Sequence, residues 1–587
     1  MSDFLLFPAN GAGVGQPSHA LADQLSHDGF AEARVESEYR LFVRGGLATA
    51  SNGGLLLMGD AYDADGGQIH QSALDEIVQS DARLEIVASR YWGQYVALAV
   101  EARAVRLYRD PSSGQACYMS GRGDAFLAAS SVDLLRLATS HSFDVCRERV
   151  IRALAYRDLR QDRTAIENVR ELPPGCATDS QAEGVRYLWQ PLKGWQSGQA
   201  LSEEEMAHRL KTALRLAVRA QTAGAGRVML ELSGGLDSSL LALLLADMQI
   251  DFAAVTYAGR HTREDESAFA QAVCTSIDRP WRRSMLRGDQ IRLHESAAAH
   301  LAWPSARLFT QLFDSAAREA MADLGFDRII SGGGGDSTFC YLPSSAPLVD
   351  CLSHWRTALN AGNVVRDLAL AHETTSAEIV WRALRRMSLP RGLSWKQDMT
   401  FLSRDVRWSL SRRAFHKGID LGGAPRGKLD HLRQVIGIHN HLDAYGSPRR
   451  EALRFPLVSR PVAEAALQIP SWQWFEGGAN RAPVRRLLAG RLPAMISGRR
   501  SKGGFDGVIR DIFMQHGGEM KAHLHDGWLA REKIIDVNAV DEEFRRFQES
   551  GPARIGRLMA LWDVEMWVRA VRRRQVSSFP LPDATNG

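Results

Sequence analysis

Apolar residues follow different spacings in the two parts of the chain. In residues 1 to about 190, short apolar runs alternate with turns rich in Gly, Asp and Ser, which predicts a β-rich region. After residue 202, longer runs at helical spacing alternate with short buried runs, which predicts a mixed α/β region. The runs that predict strands in the first part are Arg40–Val43, Gly54–Leu57, Arg83–Val87, Tyr95–Val100, Ala104–Tyr108 and Ala125–Ala128.

Proline-rich segments separate these two parts. Leu172-Pro173-Pro174-Gly175 closes the first part, and Gly194–Leu201 is typical of a linker. Ser202, followed by three glutamates, predicts the start of a helix. Leu558–Val571 predicts a last amphipathic helix that packs on the core, ahead of a polar end. We therefore predict two domains, residues 1–192 and 202–575, and a disordered tail at 576–587.

The most informative stretch is Val228 to Leu245. Val228–Leu232 predicts a buried strand, and a leucine-rich helix follows a loop of glycines and hydroxyl residues. Gly234 and Gly235 permit positive φ and a close backbone approach. Backbone N–H groups and hydroxyls at a helix N-terminus favour a bound anion. The predicted phosphate loop consists of Leu232, Ser233, Gly234, Gly235, Leu236, Asp237, Ser238 and Ser239.

A second glycine-rich loop follows a strand predicted at Arg328–Ile330. Its sequence is Ser331-Gly332-Gly333-Gly334-Gly335-Asp336, and successive glycines let N–H groups form an anion-binding nest. We expect Ser331, Gly332 and Gly333 to contact the nucleotide. Asp237 would repel phosphate unless a cation lay between them, and Asp336 offers a second carboxylate from another strand end. Together Asp237 and Asp336 predict a Mg²⁺ site.

A third short apolar run, Asp251–Tyr257, follows the leucine-rich helix. Strand, helix and strand at this spacing predict a βαβ unit with a parallel sheet. Ligands bind at the carboxyl ends of such strands. Val255, Thr256 and Tyr257 are therefore candidates to contact the nucleotide base.

Composition excludes several other classes. The chain of 587 residues is 45% hydrophobic and carries a net charge of +4, which is too small to require a nucleic-acid partner. Its six cysteines form no CxxC pair, which fits a reducing cytoplasm rather than a disulfide framework or a zinc site. The N-terminus lacks a signal-peptide pattern, and no apolar run is long enough to span a membrane. We expect a cytoplasmic protein with no membrane partner.

Both glycine-rich loops resemble those of one enzyme group. S-G-G-L-D-S-S resembles the PP-loop of the ATP pyrophosphatases, which split ATP into AMP and pyrophosphate, and it lacks the Gly-Lys-Ser/Thr of a P-loop. A downstream S-G-x-G-x-D is similar to the synthetase domains of asparagine synthetase and β-lactam synthetase. Asparagine synthetase has Glu at the third position and acids at the last two, where this chain has Gly333, Asp336 and Ser337. The form G-G-G-G-D-x-x-F-C resembles the lasso-peptide macrocyclases of the same family.

Two later motifs extend this resemblance. The segment from Arg454 to Glu464 is similar to the family pattern R-x-P-L-x-x-x-P-x-x-E, and Leu492 to Gly504 is similar to LP…R-R-x-K-G-G. In the resembled lactam synthetase, the lysine at the position of Lys502 acts in ring closure. Lys502 is therefore expected to contact an α-phosphate or a developing oxyanion. Glu451 lies near the position of an acid that the family uses in a Tyr–Glu pair.

The first region resembles a different enzyme module. Gly93–Val100 and the following residues are similar to a segment of class II glutamine amidotransferase domains. In this chain, Arg109, Asp110 and Gly114 match the motif of that segment. Those domains use an N-terminal cysteine as nucleophile. No cysteine precedes Cys117 here, and the residues around Ser2 do not match. The resemblance therefore implies a degenerate amidotransferase-like domain that packs against the synthetase domain or contacts a partner.

Taken together, the resemblances imply an α/β protein. It would join an N-terminal amidotransferase-like (Ntn-type) β-rich sandwich to a C-terminal ATP-pyrophosphatase domain with a parallel sheet and helical additions. They imply an AMP-forming carbon–nitrogen ligase with ATP and Mg²⁺ that closes a macrolactam in a precursor peptide. They also imply two partners, a leader-binding protein and a leader peptidase.

Other interpretations stay open. The chain is also compatible with a small-molecule β-lactam or amide synthetase, an asparagine synthetase-like enzyme, a non-catalytic scaffold or a tRNA-modifying PP-loop enzyme. Basic and aromatic residues interleave between residues 350 and 445, a pattern that can hold an acidic or extended peptide. His439-Asn440-His441 is a weak metal-site pattern.

Overall fold

The computed structural model describes most of the chain between residues 2 and 574. Lys502, the linker Gly194–Leu201 and the tail 576–587 lie outside the described residues. Every helix within the described ranges is too short or too polar to span a bilayer. The described residues are 2–36, 38–101, 104–112, 114–139, 143–193, 202–260, 265–353, 355–446, 449–499, 506–550 and 554–574.

Strands dominate the first part of the chain and helices the second. The strands are β1 (Asp3–Pro8), β2 (Ala31–Ala33), β3 (Tyr39–Arg44), β4 (Leu47–Thr49), β5 (Leu55–Tyr62), β6 (Trp92–Glu101), β7 (Ala104–Arg109), β8 (Tyr118–Ser120), β9 (Leu127–Ala129), β10 (Arg170–Glu171), β11 (Cys176–Asp179), β12 (Arg186–Tyr187), β13 (Val228–Glu231), β14 (Phe252–Ala258), β15 (Trp281–Met285), β16 (Arg328–Ser331), β17 (Ser394–Lys396), β18 (Arg413–Phe415), β19 (Leu453–Arg454), β20 (Phe475–Glu476) and β21 (Ala479–Asn480). The helices are α1 (Ser18–His27), α2 (Gln71–Ile77), α3 (Arg83–Arg90), α4 (Val132–Ala138), α5 (Arg147–Ala155), α6 (Glu203–Thr222), α7 (Leu236–Asp247), α8 (Ser267–Ser276), α9 (Thr310–Leu324), α10 (Gly335–Thr338), α11 (Ala346–Leu352), α12 (Trp355–Ala358), α13 (Ala361–Ala371), α14 (Ser376–Met387), α15 (Arg404–Ser409), α16 (Arg426–His439), α17 (Arg449–Ala452), α18 (Arg460–Gln468), α19 (Ala482–Leu488), α20 (Ala494–Ser497), α21 (Asp506–Asp526), α22 (Trp528–Arg531), α23 (Val537–Ser550) and α24 (Ile555–Arg573).

The N-terminal region, residues 2–193, is a layered sandwich. One antiparallel sheet has the strand order β10-β8-β9-β1-β3-β2, and the other has the order β12-β11-β7-β6-β5-β4. Alternate side chains of facing strands meet between the sheets, where Phe4 and Leu6 pack with Leu56, Met58 and Leu98. Helices α1, α4 and α5 cover the first sheet, and α2 and α3 cover the second. The alternating pattern predicts this β-rich content, and the resemblance to amidotransferase domains implies the sandwich.

The strand predicted at Arg83–Val87 is wrong, because these residues open helix α3. Leu84 and Val87, three positions apart, are both fully buried against the second sheet. Glu85 lies between them and pairs with Arg106 and Arg186 instead. A short apolar run fits either a strand or a helix face, and the packing position of this run decides for the helix.

The C-terminal region, residues 202–574, is built around a parallel sheet. Its order is β15-β14-β13-β16-β19, and β13 pairs in parallel with both β14 and β16. The predicted βαβ unit is therefore confirmed. Glu231 at the end of β13 lies opposite Ser331 at the end of β16. The two glycine-rich loops consequently leave the sheet side by side.

Helices surround this sheet, largely as the spacing predicts. The Ser202 hydroxyl accepts from the Glu205 N–H at 3.2 Å, and the Glu205 carboxylate accepts from the Ser202 N–H at 2.8 Å, which caps α6. Residues 350–445 are mostly helical, although the small pair β17 and β18 was not predicted. The last predicted helix is α24, where Trp562 and Trp567 are fully buried.

A buried charge network joins the two regions. Arg160 donates to Asp443 Oδ1 at 2.7 Å and to Glu171 Oε1 at 2.5 Å, and Arg109 donates to Glu171 Oε1 at 2.8 Å. All four side chains are at most 5% exposed. Burial alone raises the pKa of Asp443, but Arg160 and then Arg109 outweigh burial and lower this pKa to about 2. Asp443 therefore stays ionised, and its ion pair with Arg160 holds the two regions together.

Replacing Arg160 should loosen this junction. Arg160→Met leaves two buried carboxylates with one fewer cation, a change that costs about 3–5 kcal/mol, so the urea midpoint should fall. The matched control is Arg186→Met, whose guanidinium is 61% exposed and whose loss should cost less than about 0.5 kcal/mol. An equal midpoint for R160M and wild type would contradict a structural role for the network.

The same junction should depend on pH. Because the folded pKa of Asp443 is depressed, its stabilising contribution is complete above about pH 4 and is lost as the pH falls toward 2. The difference in urea midpoint between wild type and R160M should therefore narrow below about pH 4.

Candidate functional site

Hydroxyl groups hold the loop between β13 and α7 in shape. Ser238 Oγ accepts from the Ser233 N–H at 3.3 Å and lies 3.2 Å from Ser233 Oγ. Ser233 Oγ in turn accepts from the Gly235 N–H at 3.3 Å. The loop is thus preformed where α7 begins at Leu236, and the helix dipole at this end favours an anion.

Glycine is sterically required at three positions of the two loops. Gly234 has φ +66°, and an added Cβ would lie 2.4 Å from the Cβ of Phe269. Gly334 has φ +83°, and its added Cβ would lie 2.3 Å from Val458 Cγ1. A Cβ on Gly335 would lie 2.5 Å from the carboxyl carbon of Asp237. The approach at Gly335 lets the second loop pack directly against the start of α7, and Gly234 lets the first loop pack against α8.

Arg481 joins the two predicted metal-binding carboxylates. Its Nη1 donates to Asp237 at 3.1 and 3.0 Å and to Asp336 Oδ1 at 2.5 Å. Because one nitrogen touches both, the two carboxylates are immediate neighbours. Arg481 stands at a left-handed φ of 57° before α19, and its guanidinium lies 5.9 Å from the Tyr341 ring centroid. The sequence reading did not assign Arg481, since no local pattern distinguishes it from the neighbouring arginines.

The donor chemistry of this cluster suits a divalent cation. A positive group already lies between Asp237 and Asp336, and both carboxylates are partly shielded from solvent, with 13% and 35% of their side chains exposed. Oxygen ligands of this kind are those that Mg²⁺ prefers. These two residues are therefore the pair that could hold it.

The side chains of the residues predicted to contact the base mostly pack or form hydrogen bonds within the protein. Val255 is 1% exposed and packs with Ala317 and Ala320. Thr256 donates to the Leu232 carbonyl at 2.6 Å and accepts from Trp281 Nε1 at 2.8 Å. The contact of Val255 and Thr256 with a base stays a prediction, with the Val255 side chain buried and the Thr256 hydroxyl already bonded to two partners.

Tyr257 belongs to a polar cluster that the sequence reading missed. Its hydroxyl donates to Glu231 Oε1 at 3.1 Å, and Arg449 donates to the same oxygen at 2.7 Å and to Asp314 at 3.1 Å. Burial, followed by the charge of Glu231, raises the pKa of Tyr257 well above its usual range. The cluster lies at the carboxyl end of β13, beside the phosphate loop.

Glu451 is on α17, the short helix that also carries Arg449, and its expected part in a Tyr–Glu pair stays a prediction. Its side chain is exposed on α17, and its carbonyl accepts from Arg454 at 2.7 Å. Glu231 and Tyr257 form a tyrosine–glutamate pair that the sequence could not indicate, because the two residues are on neighbouring strands.

The third motif reaches the phosphate loop through Arg499. Arg499 donates to Glu266 at 2.6 Å and to the Ser233 carbonyl at 3.4 Å, and its guanidinium lies 4.0 Å from the Phe269 ring centroid. Arg485 holds the Arg499 carbonyl at 3.0 Å. Lys502, the motif residue predicted to act in catalysis, lies outside the described residues.

Other motif residues connect the two regions. Asp110, which matches the amidotransferase motif, accepts from the Gly93 and Ser112 N–H groups, and Arg460 lies 3.5 Å away. Trp189 donates to Glu464 at 3.0 Å. These contacts place the N-terminal region against the synthetase-like region.

The two histidines of the weak metal pattern diverge. His439 is 1% exposed and bonds to the Val458 carbonyl at 2.9 Å, and burial lowers its pKa to about 4. His441 bonds to Asp158 at 2.8 Å. They do not share a metal-binding geometry.

Comparison with known proteins places most of the chain in a family. The family model described as asparagine synthase matches residues 209–569. Among curated proteins no match is found. The matched residues include both glycine-rich loops, Arg481 and Arg499.

Solved structures give weaker likenesses. One is glutamine phosphoribosylpyrophosphate amidotransferase from B. subtilis complexed with ADP and GMP, with 10% identity over 48% of this chain and 66% of that chain, just under two thirds, at a TM-score of 0.21. Another is described as the allosteric regulatory enzyme of purine biosynthesis, with 11% identity over 49% of this chain and 80% of that chain, also at 0.21. TM-scores this low carry no argument.

The matched family supports an ATP-dependent carbon–nitrogen ligase. Two preformed glycine-rich loops with paired carboxylates at the carboxyl edge of a parallel sheet are consistent with a nucleotide-binding site. The chain belongs to the asparagine synthase family.

Proposed function

We propose that the protein is an ATP-dependent macrolactam synthetase that acts on a precursor peptide. It activates an Asp or Glu side-chain carboxylate as an acyl adenylate and joins it to the N-terminal amine of the same peptide. The use of ATP is supported by one observation, the cluster of Asp237, Arg481 and Asp336 at the start of the helix that follows the predicted phosphate loop. The proposal that the substrate is a peptide rests on the resemblance of G-G-G-G-D-x-x-F-C to the lasso-peptide macrocyclases.

The first step would form the acyl adenylate. A carboxylate oxygen attacks the α-phosphorus of ATP, and the bond to pyrophosphate breaks. Backbone N–H groups and hydroxyls of the Ser233 loop receive the leaving pyrophosphate. Asp237 and Asp336 would hold Mg²⁺, which neutralises charge on the triphosphate when bound.

The second step would close the ring. The amine nitrogen attacks the acyl carbon, the bond to AMP breaks, and the amine loses a proton. Lys502 is proposed to stabilise the developing oxyanion. Positioning contributes much of the rate, because closing a peptide loop has an entropic cost that a shaped site can offset.

Asparagine formation fits this site less well. Asparagine synthetase carries Glu where this chain has Gly333. A Cβ at Gly333 would lie 3.0 Å from the ring of Phe455, so a larger side chain would require this buried ring to move. The chain therefore lacks, at this position, the acid that asparagine synthetase carries.

An exposed face of α14 is a proposed contact for the peptide or its partners. Trp381 and Leu384 are 54% and 59% exposed, and the Arg385 guanidinium lies 5.4 Å from the Trp381 ring centroid. Basic and aromatic groups of this kind suit an acidic or extended peptide. The proposed partners remain a leader-binding protein and a leader peptidase.

The direct test is a product analysis. Purified protein with ATP, Mg²⁺ and a precursor peptide with a freed N-terminus should release AMP and pyrophosphate, and the peptide should lose one water by mass spectrometry. Parallel reactions with small amino-acid substrates and with aspartate plus glutamine test the alternative synthetases. Formation of ADP, or AMP release only with a small substrate, would overturn the proposal.

Removing either carboxylate should abolish turnover. Asp237→Asn and Asp336→Asn each remove one charge from the proposed cation site, so kcat for AMP release should fall by roughly 10²-fold or more. Asp247→Asn is the matched control, since Asp247 is at the far end of the same helix and pairs with Arg491. Full activity in D237N and D336N would contradict the proposed reaction.

Replacing Arg481 should separate cation binding from catalysis. Arg481→Gln removes the positive group between the two carboxylates, so Mn²⁺ should bind more tightly without ATP, while kcat/KM for ATP should fall. Calorimetric titration with Mn²⁺ measures the first effect. Arg486→Gln is the control, because its guanidinium is 41% exposed and pairs with Glu476. Unchanged Mn²⁺ affinity in R481Q would contradict a shared cation position.

Gly234→Ala should distort the predicted phosphate loop and weaken ATP binding. An added methyl meets Phe269 at 2.4 Å, so the loop must shift and the KM for ATP should rise. Gly224→Ala is the control, since Gly224 has a similar φ of +69° but nothing within 4 Å of the added Cβ. G224A should cost about 1–2 kcal/mol of stability and keep its KM for ATP. Equal KM values for the two variants would show that the loop tolerates the shift.

A further inference from the structure

A histidine and carboxylate cluster lies outside the residues that the proposed function uses. Glu519 and His523 are four residues apart on α21 and therefore share a face of that helix. His294 comes from the segment between β15 and α9 and lies with its Nε2 2.8 Å from Glu519 Oε1. One ligand atom from each of the three residues lies within 4.8 Å of the other two.

The segment that carries His294 is held in place from both sides. Gln311 accepts from the Arg292 N–H at 2.9 Å and donates to the Arg292 and Glu295 carbonyls at 3.3 and 3.0 Å. Trp562 Nε1 donates to the Leu293 carbonyl at 3.2 Å. These bonds flank His294 and fix its backbone before any ligand binds, which lowers the entropic cost of binding.

An apolar floor and an open side complete the cluster. The Trp562 ring is fully buried, and its centroid lies 6.2 Å from that of His294 and 5.8 Å from that of His523. Glu519 and His523 also line a cleft of about 650 Å³. The cluster therefore lies between a buried aromatic ring and a solvent-filled cleft that a metal ion can enter.

We propose that His294, Glu519 and His523 form a binding site for a Zn²⁺-class divalent cation. Imidazole nitrogen and carboxylate oxygen bind zinc at about 2.0–2.2 Å, which places tetrahedral ligand atoms about 3.3 Å apart. The ligand atoms of His294 and Glu519 are 2.8 Å apart and all three ligand atoms lie within 4.8 Å of one another, so side-chain rotations can bring them to these distances. Two imidazoles and one carboxylate favour zinc over Mg²⁺ or Ca²⁺, which prefer all-oxygen sites.

Such an ion would tie α21 to the segment before α9. The ligands come from two elements far apart in sequence, so the bound ion acts as a cross-link between them. The site does not depend on the proposed function, because its ligands lie outside both glycine-rich loops and outside the Asp237 cluster.

Metal titration of the full-length, tag-free protein tests this inference. After chelator treatment, wild type should bind one equivalent of Zn²⁺ in calorimetry, and Zn²⁺ should raise its thermal midpoint. Co²⁺ in place of Zn²⁺ should give the intense visible absorption of a four- or five-coordinate ion. His294→Ala and His523→Ala should weaken Zn²⁺ binding by roughly tenfold or more.

Two further variants keep the test decisive. His525→Ala, on the same helix and 53% exposed, should bind Zn²⁺ as wild type does. Glu519→Gln keeps the size of the side chain and should weaken binding even if a histidine variant fails to fold. Equal Zn²⁺ affinity in wild type, H523A and E519Q, or no binding by wild type, would overturn the site and leave a surface hydrogen bond between His294 and Glu519.

Discussion

The arrangement of the candidate site depends on one electrostatic constraint, the approach of Asp237 and Asp336. Two carboxylates repel each other, so they stay together only where a positive group lies between them. Arg481 provides that group with a single nitrogen. The glycines of both loops make the approach possible, since a Cβ at Gly335 would collide with the Asp237 carboxyl group. Charge and backbone shape therefore impose the same geometry.

The N-terminal region supports this arrangement from the edge of the sheet. Arg454 on β19 donates to Asp60 on β5 at 2.7 Å, and the Arg460 N–H donates to Ser112 at 2.7 Å. The edge strand β19 is thus covered by the other region instead of being exposed. Ser2, at the start of β1, is 2% exposed and bonded to Gln115 and Gly46. The first residues of the chain are therefore used to build the sandwich.

The fold was predictable wherever local periodicity and packing agree. The three elements of the βαβ unit and the capped start of α6 each follow from residues that are close together in sequence. The Arg83–Val87 run was assigned wrongly because five residues do not distinguish a helix face from a strand. For the site, Asp237 and Asp336 were predictable as loop residues after strands. Arg481 was not, because its role arises only when residue 481 is brought beside residues 237 and 336.

The polar clusters also could not be predicted from the order of residues along the chain. His439 and His441 are only two positions apart in sequence yet bond to different partners, Val458 and Asp158. His294 lies more than 200 residues before Glu519 and is its neighbour in space. Glu231 and Tyr257 likewise meet only because their strands pair. A motif search weights sequence proximity, whereas coordination and ion pairing depend on distance in space. Helical spacing can indicate two of the three residues of such a cluster, as it does for Glu519 and His523, but the third residue is brought there by tertiary packing.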